Sequence, residues 1–319
     1  MVLHFDPWRT IKLASQPRFP PGSPYAMVSA KTTNSSMDIS WMVPRGVFVR
    51  TLSMRALAFP ARGRKGLLPD YTWAGFRNYI ELFSDPRFHI DIRNTVIFTV
   101  IFVGGTLTLG LLLAIMLDQN LPAEGFFRNL FIFPMAISFI VTGVVWRWLM
   151  NPAMGSHMSG LNLLFQNMKL DFLINQWYTT PYWGIAAIAL AAIWQMSGYT
   201  MALYLGGLRS IPEELREAAR VDGASEISIY FRIVLPLLSP ITLSALIILG
   251  HISLKVFDLI IAIAGKQLPL DVPAIYMWQT TFDGYFFSRG AAIGILLLLS
   301  VAVLIIPYIR FTTKNEAEL

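Results

Sequence analysis

The chain has 319 residues, 55% hydrophobic and 14% charged, with a formal charge of +6 and no cysteine. Such a composition is too apolar for a soluble domain of this length and implies a multi-span membrane protein; the lack of thiols excludes disulfides, thiolate metal sites and cysteine nucleophiles. The excess charge is local, since residues 1–65 hold ten Lys/Arg against two Asp/Glu and the remainder fifteen against seventeen.

Residues 1–65 show neither a helical nor a strand period. Their most apolar window, 40–59, carries Arg45, Arg50 and Arg55, each costly at a bilayer centre, so it is not expected to span. The segment lacks a nucleic-acid recognition element, and Met1 to Lys12, with Asp6 and Arg9, offers no secretory signal. A poorly ordered basic segment is expected there, with no nucleic-acid partner. Residues 66–93 become amphipathic, with Trp73, Phe76, Tyr79, Ile80 and Phe83 at helical spacing, which predicts a helix lying in the membrane interface.

Five spans follow, taking roughly 20 apolar residues for each crossing. The first, 94–117, contains Gly104, Gly105 and Gly110, small residues that let helices approach closely. The second, 130–150, has Pro134 and Gly143 as kink positions and Arg147 near one end. A polar and aromatic connection, 151–182, leads to the third, 183–206, where Gln195, Ser197 and Tyr199 should face protein or water. The fourth covers 238–264 and the fifth 290–309, so the predicted fold is an all-α polytopic helix bundle. Four arginines between Arg209 and Arg232, with Lys314 in the tail, place that loop and the C-terminus in the cytoplasm. The basic N-terminal segment then falls outside, against the same rule, as if a first span were missing.

The loop between the third and fourth spans is dense in helix signals. Ser210 with Glu213 forms a candidate capping box, Pro212 suits a first turn, and Glu213 and Glu214 favour the positive helix end. Gly223 suits a left-handed stop to a helix of about ten residues, and Ser225 can cap a second short one. Helix signals alone are satisfied by an ordinary amphipathic helix packed on its own protein.

The full pattern is more specific. Glu217-Ala218-Ala219, then Gly223, then Ile233-x-Leu235-Pro236 resembles the EAA loop of binding-protein-dependent ABC permeases. The resemblance implies a type I importer transmembrane domain over 94–312, with a coupling loop at 207–236. There Glu217, Ala218, Ala219, Asp222 and Gly223 would contact a separate cytoplasmic ATPase. Asp222-Gly223-Ala224, Lys255-Val-Phe-Asp258, Gly75-Phe-Arg-Asn-Tyr79, Asp85-Pro86-Arg87-Phe88 and Arg93-Asn94-Thr95 are similar to the carbohydrate branch. The stretch 276–285 is similar to glucose/mannose-type monosaccharide permeases. The implied partners are ATPase subunits, a second homologous permease, an extracytoplasmic sugar-binding protein and membrane lipid. The implied location is the bacterial inner membrane, with 313–319 as a cytoplasmic tail. Such permeases have six spans, so residues 1–64 are expected not to be the family N-terminus, as a frameshift or misassigned start would produce.

For the substrate path, His251, Lys255 and Asp258 fall at i, i+4 and i+7 of the predicted fourth span, on one helical face. They either line a pathway or pair with each other to stay neutral in the membrane. Gln195, Tyr199, Trp278, Gln279 and Phe282 are of the type that binds sugars, although aromatics near span ends also anchor helices at the interface. No metal or cofactor is expected, because His4, His89, His157 and His251 never fall at ligand spacing. No Walker A, G-x-S-x-G or H-E-x-x-H motif occurs, which assigns ATP hydrolysis to another subunit and gives no support to a hydrolase. An ion-coupled secondary transporter would account for Lys255 and Asp258 but not for the loop, and the spans show no repeated halves.

Overall fold

The computed structural model describes residues 74–119, 122–180 and 182–317, and the expectations for residues 1–64 and for Trp73 lie outside that set. The chain divides into Met1–Arg45, outside the described residues, and Gly46–Leu319, which holds every element below. In order these are α1 (Arg77–Phe83), α2 (Pro86–Leu117), α3 (Glu124–Ile132), α4 (Phe139–Leu149), α5 (Gly160–Asn167) and α6 (Gly184–Ser210). They continue with α7 (Glu213–Val221), α8 (Glu226–Ile229), α9 (Leu235–Leu237), α10 (Ser239–Leu254), α11 (Asp258–Ala264), α12 (Pro273–Trp278) and α13 (Phe287–Ala317). No strand occurs among the described residues, and the predicted all-α class holds.

Helices α2 and α6 are each long and apolar enough to cross a membrane, and they pack along most of their length. A Cβ at Gly110 would lie 2.0 Å from Thr200 Oγ1, and one at Gly105 2.4 Å from Ile193 Cδ1. Thr200 Oγ1 also donates to the Thr106 carbonyl at 2.9 Å, satisfying both polar groups inside the contact. Gly104, by contrast, faces open space. Of the interfacial helix predicted over 66–93, residues 66–73 lie outside the described set, and α1 covers Arg77–Phe83. Asp85 accepts the Arg87 amide and Pro86 stands at the first helical position, so α2 starts there and takes in residues 86–93.

The second predicted span is not one helix. Pro134 lies in a 3₁₀ turn over Phe133–Ala136, Ile137 is extended, and Ser138 caps α4, so the Glu124–Ala136 stretch and α4 meet at 100°. Proline cannot continue the amide ladder, which is why the break falls here. Gly143, the other predicted kink position, instead lets α11 approach: its Cβ would lie 2.4 Å from Ala262 Cβ.

The fourth predicted span is also corrected. It enters through a π turn at Tyr230–Val234 and α9, bends by 64° into α10, and ends at Leu254. Lys255–Phe257 are unwound before α11 begins at Asp258. Ser253 contributes to that end, since its hydroxyl turns back to the Gly250 carbonyl at 2.8 Å. The fifth predicted span falls on α13, whose described apolar part, Phe287–Val303, is shorter than the helices that can cross a membrane on their own. A core of Phe98, Phe102, Ile185, Ile188, Leu259 and Ile260 joins α2, α6 and α11, and a second cluster of Ala114, Leu117, Tyr204, Leu208 and Ile229 lies by the far end of α2.

Candidate functional site: the loop helix and the cavity at the broken span

Helix α7 has nine residues, close to the predicted length, but a different start. Ser210 belongs to α6, its hydroxyl donating to the Gly207 carbonyl at 2.8 Å, and the N-cap is Pro212, which has no side-chain acceptor. The predicted capping box is therefore absent, and Glu213 bonds Arg220 at 3.1 Å instead. The stop is as expected. Gly223 has φ +80°, its amide donates to the Arg220 carbonyl, and the Ala224 amide donates to the Ala219 carbonyl, both at 3.0 Å. Those two bonds satisfy the last orphan carbonyls of α7 with glycine in the left-handed position. Ser225 then caps α8 through the Ser228 amide.

Glu217, Ala218, Asp222 and Gly223 are exposed, while Ala219 is half-buried against the cluster around Leu117 and Leu208. Val221 at the end of α7 is 87% exposed, and Ile227 in α8 is 73% exposed.

The polar ties of this helix were not foreseen. Arg216 Nη1 lies 3.2 Å from Asp118, the residue that caps the end of α2, and its Nη2 donates to the Leu208 carbonyl of α6 at 3.2 Å. Arg209 bonds Glu124 at 2.6 Å, and Arg220 bonds Glu226 of α8 at 2.7 Å. The Arg220 hydrogen bond holds the Glu226 carboxyl below its ordinary range. The only local signal for Asp118 was its place directly after an apolar run; nothing near it in sequence names Arg216 as its partner.

Although Lys255 and Asp258 do not share a helical face, the unwound turn brings His251, Lys255, Phe257 and Asp258 onto one cavity of about 420 Å³. Phe98, Phe102 and Phe139 form its apolar side. Irregular backbone at membrane depth is tolerated where it is buried in protein or lines a cavity, and this break lines one. Lys255 and Asp258 are both exposed, and no ion pair joins them among the described residues. His251, Lys255 and Phe257 also line a neighbouring cavity of about 530 Å³ with Met277 and Trp278.

The remaining sugar-type candidates lie elsewhere. Gln195 is 2% exposed and donates to the Ile137 carbonyl at 2.6 Å, so it serves the broken second span and not the cavity. Tyr199 packs against the main core. Gln279 accepts from Arg87 at 2.6 Å, and Phe282 is exposed. Gln279 belongs to a polar cluster at the N-terminal end of α2, opposite the Asp118 end. There Arg87 pairs with Asp271, Asn94 donates to the Pro269 and Asp271 carbonyls, and Asp85 accepts from Tyr276 and Arg289.

Residues 106–315 match the family model described as binding-protein-dependent transport system inner membrane component. The chain is 42% identical over 254 residues to the probable ABC transporter permease protein PH1215 of Pyrococcus horikoshii, covering 79% of this chain and 86% of that protein. It is 36% identical over 250 residues to the xylose/arabinose import permease protein XacH of Haloferax volcanii, covering 77% of each. A crystal structure of a bacterial ABC transporter involved in the import of the acidic polysaccharide alginate has the same fold, with a TM-score of 0.67 at 21% identity over 84% of this chain and 90% of that one.

Proposed function

We propose, for a chain that belongs to the binding-protein-dependent transport system inner membrane components and is a permease of an ABC sugar importer, that its substrate is a monosaccharide. The similarity to a xylose/arabinose permease and the 276–285 stretch support a single sugar ring over a longer glycan.

The observation that carries the coupling role is α7 itself. It stands between two spanning segments, ends on a left-handed glycine, and presents Glu217, Ala218 and Asp222 outward beside Val221. Seated in a groove of a cytoplasmic ATPase, that surface would pass nucleotide-driven closure to the spans; Ala219 faces the permease and sets the helix against it. The loop and the C-terminus are cytoplasmic in this reading, the Arg87–Asp271 end is extracytoplasmic, and the chain does not hydrolyse ATP. A second permease subunit completes the path, and a sugar-binding protein delivers the substrate from outside. Within this subunit His251, Lys255 and Asp258 offer hydrogen bonds to hydroxyls and Phe257 an apolar face to the ring.

Uptake of labelled xylose, arabinose, glucose and maltose into proteoliposomes holding the full complex tests this. ATP-dependent uptake of one monosaccharide is expected. Uptake of maltose alone would overturn the substrate class, and uptake driven by a proton or sodium gradient without ATP would favour a secondary transporter.

A further inference from the structure

We infer that Arg216 and Asp118 are positioning residues that couple α7 to the spanning helices α2 and α6. The inference rests on the coupling role proposed above for α7.

A nine-residue helix is marginal on its own, so something must fix its angle to the membrane. Apolar packing supplies little of this, because of all α7 residues only Ala219 joins the adjoining cluster, and Leu215 and Val221 are exposed. The Arg220–Glu226 and Arg220–Glu213 pairs tie α7 to α8 and to its own first turn, but their side chains are 44–60% exposed and screened by water. Arg216 and Asp118 are each only 12% exposed. Their guanidinium–carboxylate contact therefore acts where screening is weak.

Its geometry also selects what moves with α7. One Arg216 nitrogen meets the cap of α2 and another the Leu208 carbonyl near the end of α6, while Arg209 of α6 lies 4.0 Å from the same Asp118. Among the described residues α2 and α6 are the two single helices long and apolar enough to cross a membrane, and they are locked together at Gly105, Gly110 and Thr200. Displacement of α7 is thus passed through Arg216 to a rigid pair, whereas the chain leading on from α8 runs through a π turn and a 64° bend before α10. The rigid pair lines the 420 Å³ cavity through Phe98, Phe102 and Ala192, and the bent α10 lines it through His251 and Ile252. Moving one against the other opens or closes it.

The test uses the full importer in proteoliposomes and measures three quantities: ATPase subunit retained with the permease, ATP hydrolysed, and sugar taken up. For Arg216→Ala and Asp118→Ala the ATPase subunit stays bound, while sugar carried per ATP falls at least about fivefold, the lower end of typical site-to-site coupling. The double variant loses no more than the worse single one, because both remove the same contact, and Arg216→Lys keeps most of the ratio. Unchanged transport per ATP in both single variants overturns the inference. So does additive loss in the double variant, or release of the ATPase subunit by Arg216→Ala. Gly223→Val serves as the separate control for α7: if it leaves both ATPase binding and uptake intact, the coupling role itself fails, and the positioning role with it.

Discussion

Gln195 of α6 donates through Nε2 to the carbonyl of Ile137 at 2.6 Å, and Ile137 is the extended residue at which the second span breaks. In an intact helix that carbonyl would receive an amide four residues on. Here a buried side chain from another span supplies the donor. Gln195→Leu should therefore lower stability by about 0.5–1.5 kcal/mol, the net worth of a hydrogen bond whose acceptor is part-buried. A thermal unfolding series in detergent measures it, and an unchanged midpoint would mean that another donor reaches Ile137.

One turn further along α6, a Cβ on Gly198 would lie 2.0 Å from the Phe131 carbonyl oxygen. That neighbour is backbone and cannot swing aside, so Gly198→Ala should push α6 and the α3 segment apart, with an overpacking cost of about 1–3 kcal/mol or more. Gly104→Ala is the matched contrast: nothing lies within 4 Å, and relief of glycine's helix penalty should stabilise by about 0.5–1 kcal/mol. Equal effects at the two positions would argue against this packing of α6 on α3.

The order of the apolar segments could be read from the sequence because such runs are local and long, whereas the bends that interrupt the second and fourth of them could not. The stop of α7 could be read because Gly223 answers to a local backbone requirement, the left-handed position. What the sequence hid depends on distance. Gln195 has the same composition signature whether it faces a sugar or the Ile137 carbonyl, and only the break 58 residues earlier decides between them. The apolar continuity of 238–264 likewise concealed the turn at Lys255–Phe257, because unwound backbone in a membrane is sustained by neighbouring helices and not by its own composition. Ser210 shows the opposite error, a good local cap displaced because α6 simply continues through it.

At the N-terminal end of α2, Arg87 spans from Asp271 to Gln279 and lies 4.3 Å above the Tyr276 ring. Asp271 is 2% exposed, so Arg87→Ala strands a buried carboxylate and should cost about 3–5 kcal/mol. Asp271→Asn should cost less, because Arg87 keeps Gln279 and the Tyr276 face. Unfolding midpoints of the two variants, compared in one detergent, check the order; a milder effect for Arg87→Ala would contradict it.

Gly223 has open space around its Cβ position, so any cost of substitution there is conformational, not steric. Gly223→Ala should destabilise the turn by about 1–2 kcal/mol, and Gly223→Asn by less, since asparagine tolerates the left-handed region. Capture of the ATPase subunit by the purified permease should weaken in the same order. Capture that is lost equally with both variants would point to direct contact at Gly223 and not to the turn it shapes.

Lys255 and Asp258 distinguish a pathway from mere neutralisation. Two opposite charges placed in a membrane only to cancel should pair, and removing both should be harmless. In this structure they do not pair within 4.0 Å, and both face the cavity at the broken span together with His251. If each holds a sugar hydroxyl, Lys255→Ala and Asp258→Ala should each lower uptake roughly tenfold or more, matching the loss of one charge-assisted hydrogen bond of about 1.5–3 kcal/mol. The double variant should then be at least as impaired as either single one. Uptake restored in Lys255→Met/Asp258→Leu would show instead that the two charges matter only to each other, and the cavity would lose its assignment as the sugar's route.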